Sequence, residues 1–492
     1  MHRIIAGISA ILFFAAAIEG CGGYSSMNPP PGAGTVPVSF SVKDNPPSGV
    51  TVLAFEIQIT GASLNLMTSY SGGQSVPLIS HPEDVELEHL QTDSALLANL
   101  NVPPGTYNSV TMTFANPEMT ILNQTGSALT LGGQSCATQQ VCEFSPALNQ
   151  ASVTVQTPTA PFPITLSANS PVALRMDFDV NASVQSNDLS ITPTVNLKQL
   201  PAPSGMGGDD GDDTEMIGQI TAIDPTHQTF TLQVGLMGTT SMIATNSNTE
   251  FDFDGSCPAD NFSCLQMNQI VKVEVQQMSD GSLTATDVEI FAPPSMFLLR
   301  GTVAAINTTA GTFQIVVFDD GAFIPPTMSK VTLGIPLTID VAPQATFSVD
   351  ANGLTLPAGL NFASFSDLMV GQGVRIHPTA LSSSGMPPTF TITTDQVQLV
   401  RSEVTGTISA INASGTPPTF TLGMLPPLFT NAGISSIQVD VLSATQFESD
   451  DSAVNVTGIS NLSTNNLVSV GGLLFNTTGT PTLVAEKVDL RQ

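Results

Sequence analysis

The chain has no tryptophan, three tyrosines, five cysteines and only 11 Lys and Arg among its 492 residues. Each scarcity removes a class of function. Platforms that stack sugars or nucleobases are built from Trp and Tyr, and Tyr24, Tyr70 and Tyr107 are too scattered to make one. The 25 Phe mostly alternate with polar residues, as core Phe does. Against 40 Asp and Glu the formal net charge is −29. Nucleic acid and anionic headgroups are therefore repelled, because binding them takes clustered Lys and Arg, and no nucleic-acid partner is expected. There is no G-x-S-x-G, no Walker loop and no Rossmann glycine pattern, so the common acyl-transfer, nucleotide and dinucleotide sites are missing. A non-enzymatic protein without catalytic residues, cofactor or metal is the resulting expectation. Only 10% of residues are charged while 41% are hydrophobic, which leaves ample material for cores under a surface of hydroxyls and amides.

The start of the chain speaks to location. His2 and Arg3 are followed by an almost wholly apolar run from Ile4 to Ile18. About fifteen residues are too few for a spanning helix, which takes about 20, but they suit the apolar region of an export signal. Ile18-Glu19-Gly20-Cys21 then resembles the bacterial lipoprotein signal, with an aliphatic residue three before the cysteine and a small one just before it. Glu19 departs from the usual small residue. An ordinary export signal with a coincidental cysteine is the plainer alternative. The expectation is a signal peptide over 1–20, acylation at Cys21 and a lipidated tether over 21–36, whose Gly, Ser and Pro keep it flexible and extended. Two or more acyl chains anchor stably where one does not, so the membrane is a partner through lipid. Gly22 in place of an Asp points to the outer membrane of a bacterial envelope. No later stretch is long and apolar enough for a membrane helix.

The other cysteines come as close pairs, Cys136 with Cys142 and Cys257 with Cys264. In an exported chain, local pairs in polar loops read as small disulfides, each contributing about 2 kcal/mol on the loop-entropy account. Their spacing, with no His nearby, is unlike a zinc site.

Organisation follows from period-two alternation punctuated by Pro, Gly and Asn. Residues 37–200 contain stretches such as "TVLAFEIQITGASLNLM", "NSVTMTFAN" and "VALRMDFDVNASV". They predict six to eight short strands in an antiparallel β-sandwich. "EDVELEHLQTDSALLANL" is the one helical or irregular piece, and Tyr107 packs at the core edge. Residues 201–215 form an acidic Gly/Pro linker. After it comes an internal repeat: "GQITAIDPTHQTFTL", "GTVAAINTTAGTFQI" and "GTISAINASGTPPTFTL". Each is followed by a Phe-containing acidic stretch, a polar-to-apolar pair and a last strand, as in "QIVKVEV" with "LTATDVEIF". The units run over 216–292, 297–400 and 403–491. About five strands each, with edges to hide, predict three small OB-like β-barrels, a small sandwich being the runner-up. The whole is all-β, a rod or string of domains.

This repeat resembles the bacterial domain of unknown function 5666, and "AFEIQITGASLNL" with "VPPGTYNSVTMTF" resembles the lipoprotein domain of unknown function 4382. The resemblance implies β-rich folds in the cell envelope and brings no catalytic residues.

Candidate chemistry is sparse. His81, Glu83, Glu86, Glu88 and His89 cluster in "SHPEDVELEHL" and could ligate a metal or serve a secreted or periplasmic hydrolase, though this spacing does not put both imidazoles on one helical turn. Asp209, Asp210, Asp212, Asp213 and the Asp254-Gly255 turn invite calcium, and with it a calcium-stabilised surface adhesin, but no twelve-residue loop with its closing Glu is present. His227 and His377 are not repeated between units. The leading expectation is a lipid-anchored, non-enzymatic envelope protein for scaffolding, adhesion or capture of a small ligand or protein partner.

Overall fold

The computed structural model describes residues 35–45, 52–67, 75–79, 81–88, 90, 94–124, 127–131, 133–185, 188–200, 214–234, 240–253, 257, 259–292, 298–319, 333–351, 354–384, 389–449, 454 and 456–491. The expected signal peptide, Cys21, most of the tether, His89, Asp209 to Asp213 and Asp254-Gly255 lie outside them.

The N-terminal unit is a sandwich of two sheets. The second sheet is organised by two long strands, Val52–Leu66 and Gly105–Leu122, paired antiparallel from Val52↔Ile121 to Leu66↔Tyr107. Alternation sends Phe55, Ile57 and Ile59 inward, all fully buried, as a two-residue period dictates. The facing sheet contains Val36–Asn45, Ser94–Val102, Val172–Asp179 and Val195–Leu200. Phe178 of that sheet meets Phe55 and Phe114 of the other, each at 5.7 Å between ring centroids. Three features correct the sequence reading. Among the described residues the two sheets of the sandwich have eleven strands, with a two-stranded hairpin, Leu129–Leu131 and Gln134–Cys136, beside them, because several are too short to show a period. It is not wholly antiparallel: Val36–Asn45 runs parallel to Val172–Asp179, a pairing open to strands far apart in sequence. The stretch read as helical or irregular forms strands Glu83–Glu86 and Ser94–Val102; the latter is held between Val36–Asn45 and the first barrel, so tertiary context overrides helix-forming Ala and Leu. Tyr107 is fully buried rather than at an edge, and its hydroxyl donates to the Pro103 carbonyl at 2.8 Å.

The middle and last of the other three units are closed, five-stranded, OB-like barrels with one strand order, and the first is a near-barrel whose strands continue the N-terminal sheet. In the middle barrel, Leu299–Asn307, Thr312–Asp319, Pro336–Val349, Thr389–Val400 and Gly373–Ser384 neighbour one another in a closed ring. The last barrel repeats this with Ser402–Asn412, Thr419–Gly423, Ile437–Ser449, Thr482–Arg491 and Leu467–Phe475. In both, the third strand runs parallel to the fifth. The first barrel has the same pairings, its third strand being split into Thr240–Ala244 and Glu250–Asp252. Its first strand, Thr214–Asp224, begins inside the segment read as linker and extends the N-terminal sheet by pairing Thr214 and Glu215 with Ser94 and Ala95.

The units are not strung out. A hydrophobic cluster joins Ala54, Leu122 and Val141 of the sandwich to Ala304 and Val316 of the middle barrel and Leu428 of the last. Leu473, Phe475 and Val484 of the last barrel belong to the middle barrel's core, and Met369 of the middle barrel enters the last one's. The expected rod gives way because these barrels are apolar outside as well as inside along the shared faces. Polar contacts lock the same faces: Gln372 Nε2 donates to the Leu474 carbonyl at 2.9 Å and Thr120 Oγ1 to the Gly334 carbonyl at 2.6 Å. A single residue, Arg401, separates the last strand of the middle barrel from the first of the next.

Gly371 sits at this junction with φ +82° and with the Phe429 ring where a Cβ would go. Gly433 has the same φ but open space around it. Gly371→Ala is expected to lower stability by about 1–3 kcal/mol and Gly433→Ala by clearly less, as read by thermal unfolding of each variant.

Candidate functional site

The scarce cations define the centre of the molecule. Every Lys and Arg whose side chain is described has a carboxylate within 4 Å: Arg175 and Lys198 share Asp177, Lys272 meets Glu274, Lys487 meets Glu448 and Arg491 meets Asp489. The remaining three, Arg300, Arg375 and Arg401, lie where units join.

A shared register brings these groups together. The fourth and fifth strands of the three barrels place Lys272 opposite Glu289, Arg375 opposite Gln398 and Ser469 opposite Asp489. The first strands add Ile217, Arg300 and Thr405 beside them. Val271 and Val273 belong to the first barrel's core, so alternation turns Lys272 to the outer face. The middle barrel thus has two guanidiniums and an amide at these three positions, with its own Asp350 beside Arg375. Glu289 of the first barrel adds a second carboxylate, accepting from Arg300 Nη2 at 2.6 Å and Arg375 Nη1 at 3.0 Å. Arg375 also donates to Asp350 at 2.6 Å, to Gln398 and to the Ile290 carbonyl at 3.2 Å. All of these side chains are buried. Burial alone would raise the Glu289 carboxyl, but Arg300, Arg375 and Lys272 hold it down at about 2.

Next to this lock the four units line a partly open cavity of about 280 Å³. The sandwich contributes Glu83, Glu86 and Leu97, the first barrel Met216 and Lys272, the middle barrel Asp350 and Leu354, and the last Glu403 and Glu486. Seven carboxylates and three cationic side chains line it among apolar walls. Glu86 accepts from the backbone N–H groups of Phe55 at 2.9 Å and Glu88 at 3.2 Å. Burial, then the nearby Glu86 and Glu403, push the Glu88 carboxyl well above its ordinary value.

The acidic segment singled out in the sequence therefore forms one wall of the cavity, through Glu83 and Glu86. His81 hydrogen-bonds Glu83 at 2.9 Å. His227 pairs with Asp224 and His377 with Asp395, each in its own barrel and away from the others. Among the described residues no group of three or more His, Cys, Asp and Glu is placed to hold a metal ion, and no helix is long and apolar enough to cross a membrane. Disulfides join Cys136 to Cys142 and Cys257 to Cys264, with Cα atoms 5.9 Å apart in both. What the sequence reading missed are Glu289, Arg300, Asp350, Arg375, Arg401, Glu403 and Glu486. The available signal was a cation or acid flanked by β-branched and aliphatic residues, as in "GVRIH" and "TDVEIF", where a charged side chain in a buried strand needs a partner.

Residues 35–193 match the family described as Domain of unknown function (DUF4382). Residues 217–289 and 405–489 each match Domain of unknown function (DUF5666). The sandwich and the two outer barrels of the series are thus similar to these two families. No curated protein matches the chain.

Two outcomes test the electrostatics. Removing one partner of a buried ion pair strands the other, at a cost of about 3–5 kcal/mol, so Arg375→Met should lower the denaturation free energy by that order in urea unfolding. On the strand that carries Glu289, Leu283–Ala292, Asp287 lies opposite Glu274 and beside Glu250. Burial and then Glu274, with Lys272 opposing, raise its carboxyl from 3.8 to about 8. A raised acid favours folding while it stays protonated, and that contribution fades as pH rises toward the folded value. The melting temperature should therefore fall between about pH 4 and pH 8, and Asp287→Asn should make that fall smaller.

Proposed function

We propose that this protein is a lipid-anchored, non-enzymatic binding protein of the bacterial envelope, exported with a signal peptide over 1–20 and held by acyl chains on Cys21, the outer membrane being the expected location. Residues 22–36 then act as the tether between lipid and sandwich, and the middle barrel counts as a third, diverged copy of the repeat because it has the same strand order as the other two. The observation that carries the binding role is the convergence of all four units on one cavity. Clefts between domains are where small ligands are most often held. Two disulfides in local loops support an oxidising compartment. The high negative charge keeps nucleic acid from being a partner.

The anchor is tested by the intact mass of protein extracted from membranes. Mature protein beginning at Cys21 with added acyl mass is expected, and Cys21→Ala should appear without it. A wild-type start elsewhere and no lipid would overturn the anchored reading. The binding role is tested with a neutral probe of the cavity's apolar part, hexan-1-ol, by titration calorimetry. Saturable binding that is lost in Leu354→Trp, which fills the cavity, is expected.

A further inference from the structure

The cavity's lining says which ligand chemistry it suits. Its walls contain Leu96, Leu97, Met216, Leu354 and Leu473, enough to take an apolar body. Its volume of about 280 Å³ corresponds to about nine waters at roughly 30 Å³ each, the size of a short-chain organic molecule. Its cations are engaged by protein carboxylates: Arg300 holds Glu289 at 2.6 Å, Lys272 holds Glu274 at 3.3 Å, and Arg401 lies 3.8 Å from both Glu403 and Glu486. The carboxylates outnumber them by seven to three. At the more open side are Asp84, exposed, and Glu83, with 21% of its side chain exposed. Their protein partners, Gln58 for Asp84 and His81 for Glu83, each engage one oxygen. A carboxylate accepts several hydrogen bonds, so both can receive a further donor.

We infer that the cavity binds a small organic cation, a primary amine carrying a short apolar chain, with the chain against the leucines and the ammonium toward Glu83 and Asp84. This rests on the reading of the cavity as a ligand site. An anion of the same length meets an excess of negative charge, and a neutral alcohol forgoes the charge-assisted bonds that an ammonium makes to carboxylates. The two readings can fail separately, because the neutral probe tests the cavity and the charged probes test its preference.

The experiment is calorimetric titration of the full mature protein with n-hexylamine, hexan-1-ol and hexanoate. The amine is expected to bind at least about tenfold more tightly than the alcohol, and hexanoate more weakly than either. Glu83→Gln with Asp84→Asn should bring the amine close to the alcohol while leaving alcohol binding intact. Retained alcohol binding in that variant reports that the cavity is still formed. In the wild type, raising salt from about 20 mM to about 0.5 M should weaken the amine and spare the alcohol, since screening acts on exposed charge. Alcohol binding with no gain for the amine, or hexanoate binding best, overturns the cation preference and leaves the cavity reading standing. No binding by any of the three probes overturns both.

Discussion

The docking of the first barrel on the middle one turns on one carboxylate, that of Glu289, gripped between Arg300 and Arg375. Two buried guanidiniums on neighbouring strands of one barrel repel each other and carry a desolvation cost that no packing offsets. Asp350 of the same barrel offsets one of the two charges, and Glu289 from the first barrel offsets the other. By itself the middle barrel therefore has one guanidinium more than carboxylates in this cluster, and docking of the first barrel balances it. Asp350 and Gln398 take up the remaining guanidinium hydrogens of Arg375, which makes the cluster directional as well as neutral.

Interior pairing of the cations has a second effect. With so few Lys and Arg in the chain, and six of them buried, little positive charge is left to balance the acids outside. The solvent-facing charge is thus more one-sided than composition suggests. Salt screens exposed charges within about 10 Å at 0.1 M but reaches the buried pairs far less. The forces that hold the units together and those that keep separate molecules apart consequently answer to different conditions.

Much of this fold could be read from the sequence because strands with one buried face carry a two-residue period, and because the Ala-Ile turn and the Thr-Phe strand recur at matched places in three units. The five-strand barrels follow from those signals, and both disulfides from the close spacing of their cysteines. The stretch from Glu83 to Leu100 misleads, since its Ala and Leu favour a helix in isolation while its neighbours in the sheet impose extended pairing. The cavity could not be read, because its walls come from segments hundreds of residues apart. Glu83 and Glu86 stood out as chemistry-bearing residues, yet nothing local links them to Glu403 or Glu486. Arg300 and Arg375 are single charged residues in strands rich in apolar side chains, and their partner Glu289 belongs to a different unit.

Repetition usually implies that modules can be exchanged, duplicated or reordered without harm. Here the matched positions hold Ile217, Lys272 and Glu289 in the first barrel, Arg300, Arg375 and Gln398 in the second, and Thr405, Ser469 and Asp489 in the third. Three copies of one architecture have thereby acquired distinct seats. A chain with two middle barrels in succession would set guanidinium against guanidinium, and one with the first barrel removed would leave Arg300 and Arg375 with Asp350 and without Glu289. The order of the units is written in their side chains, so exchanging or deleting one barrel would break the charge pairing between neighbours.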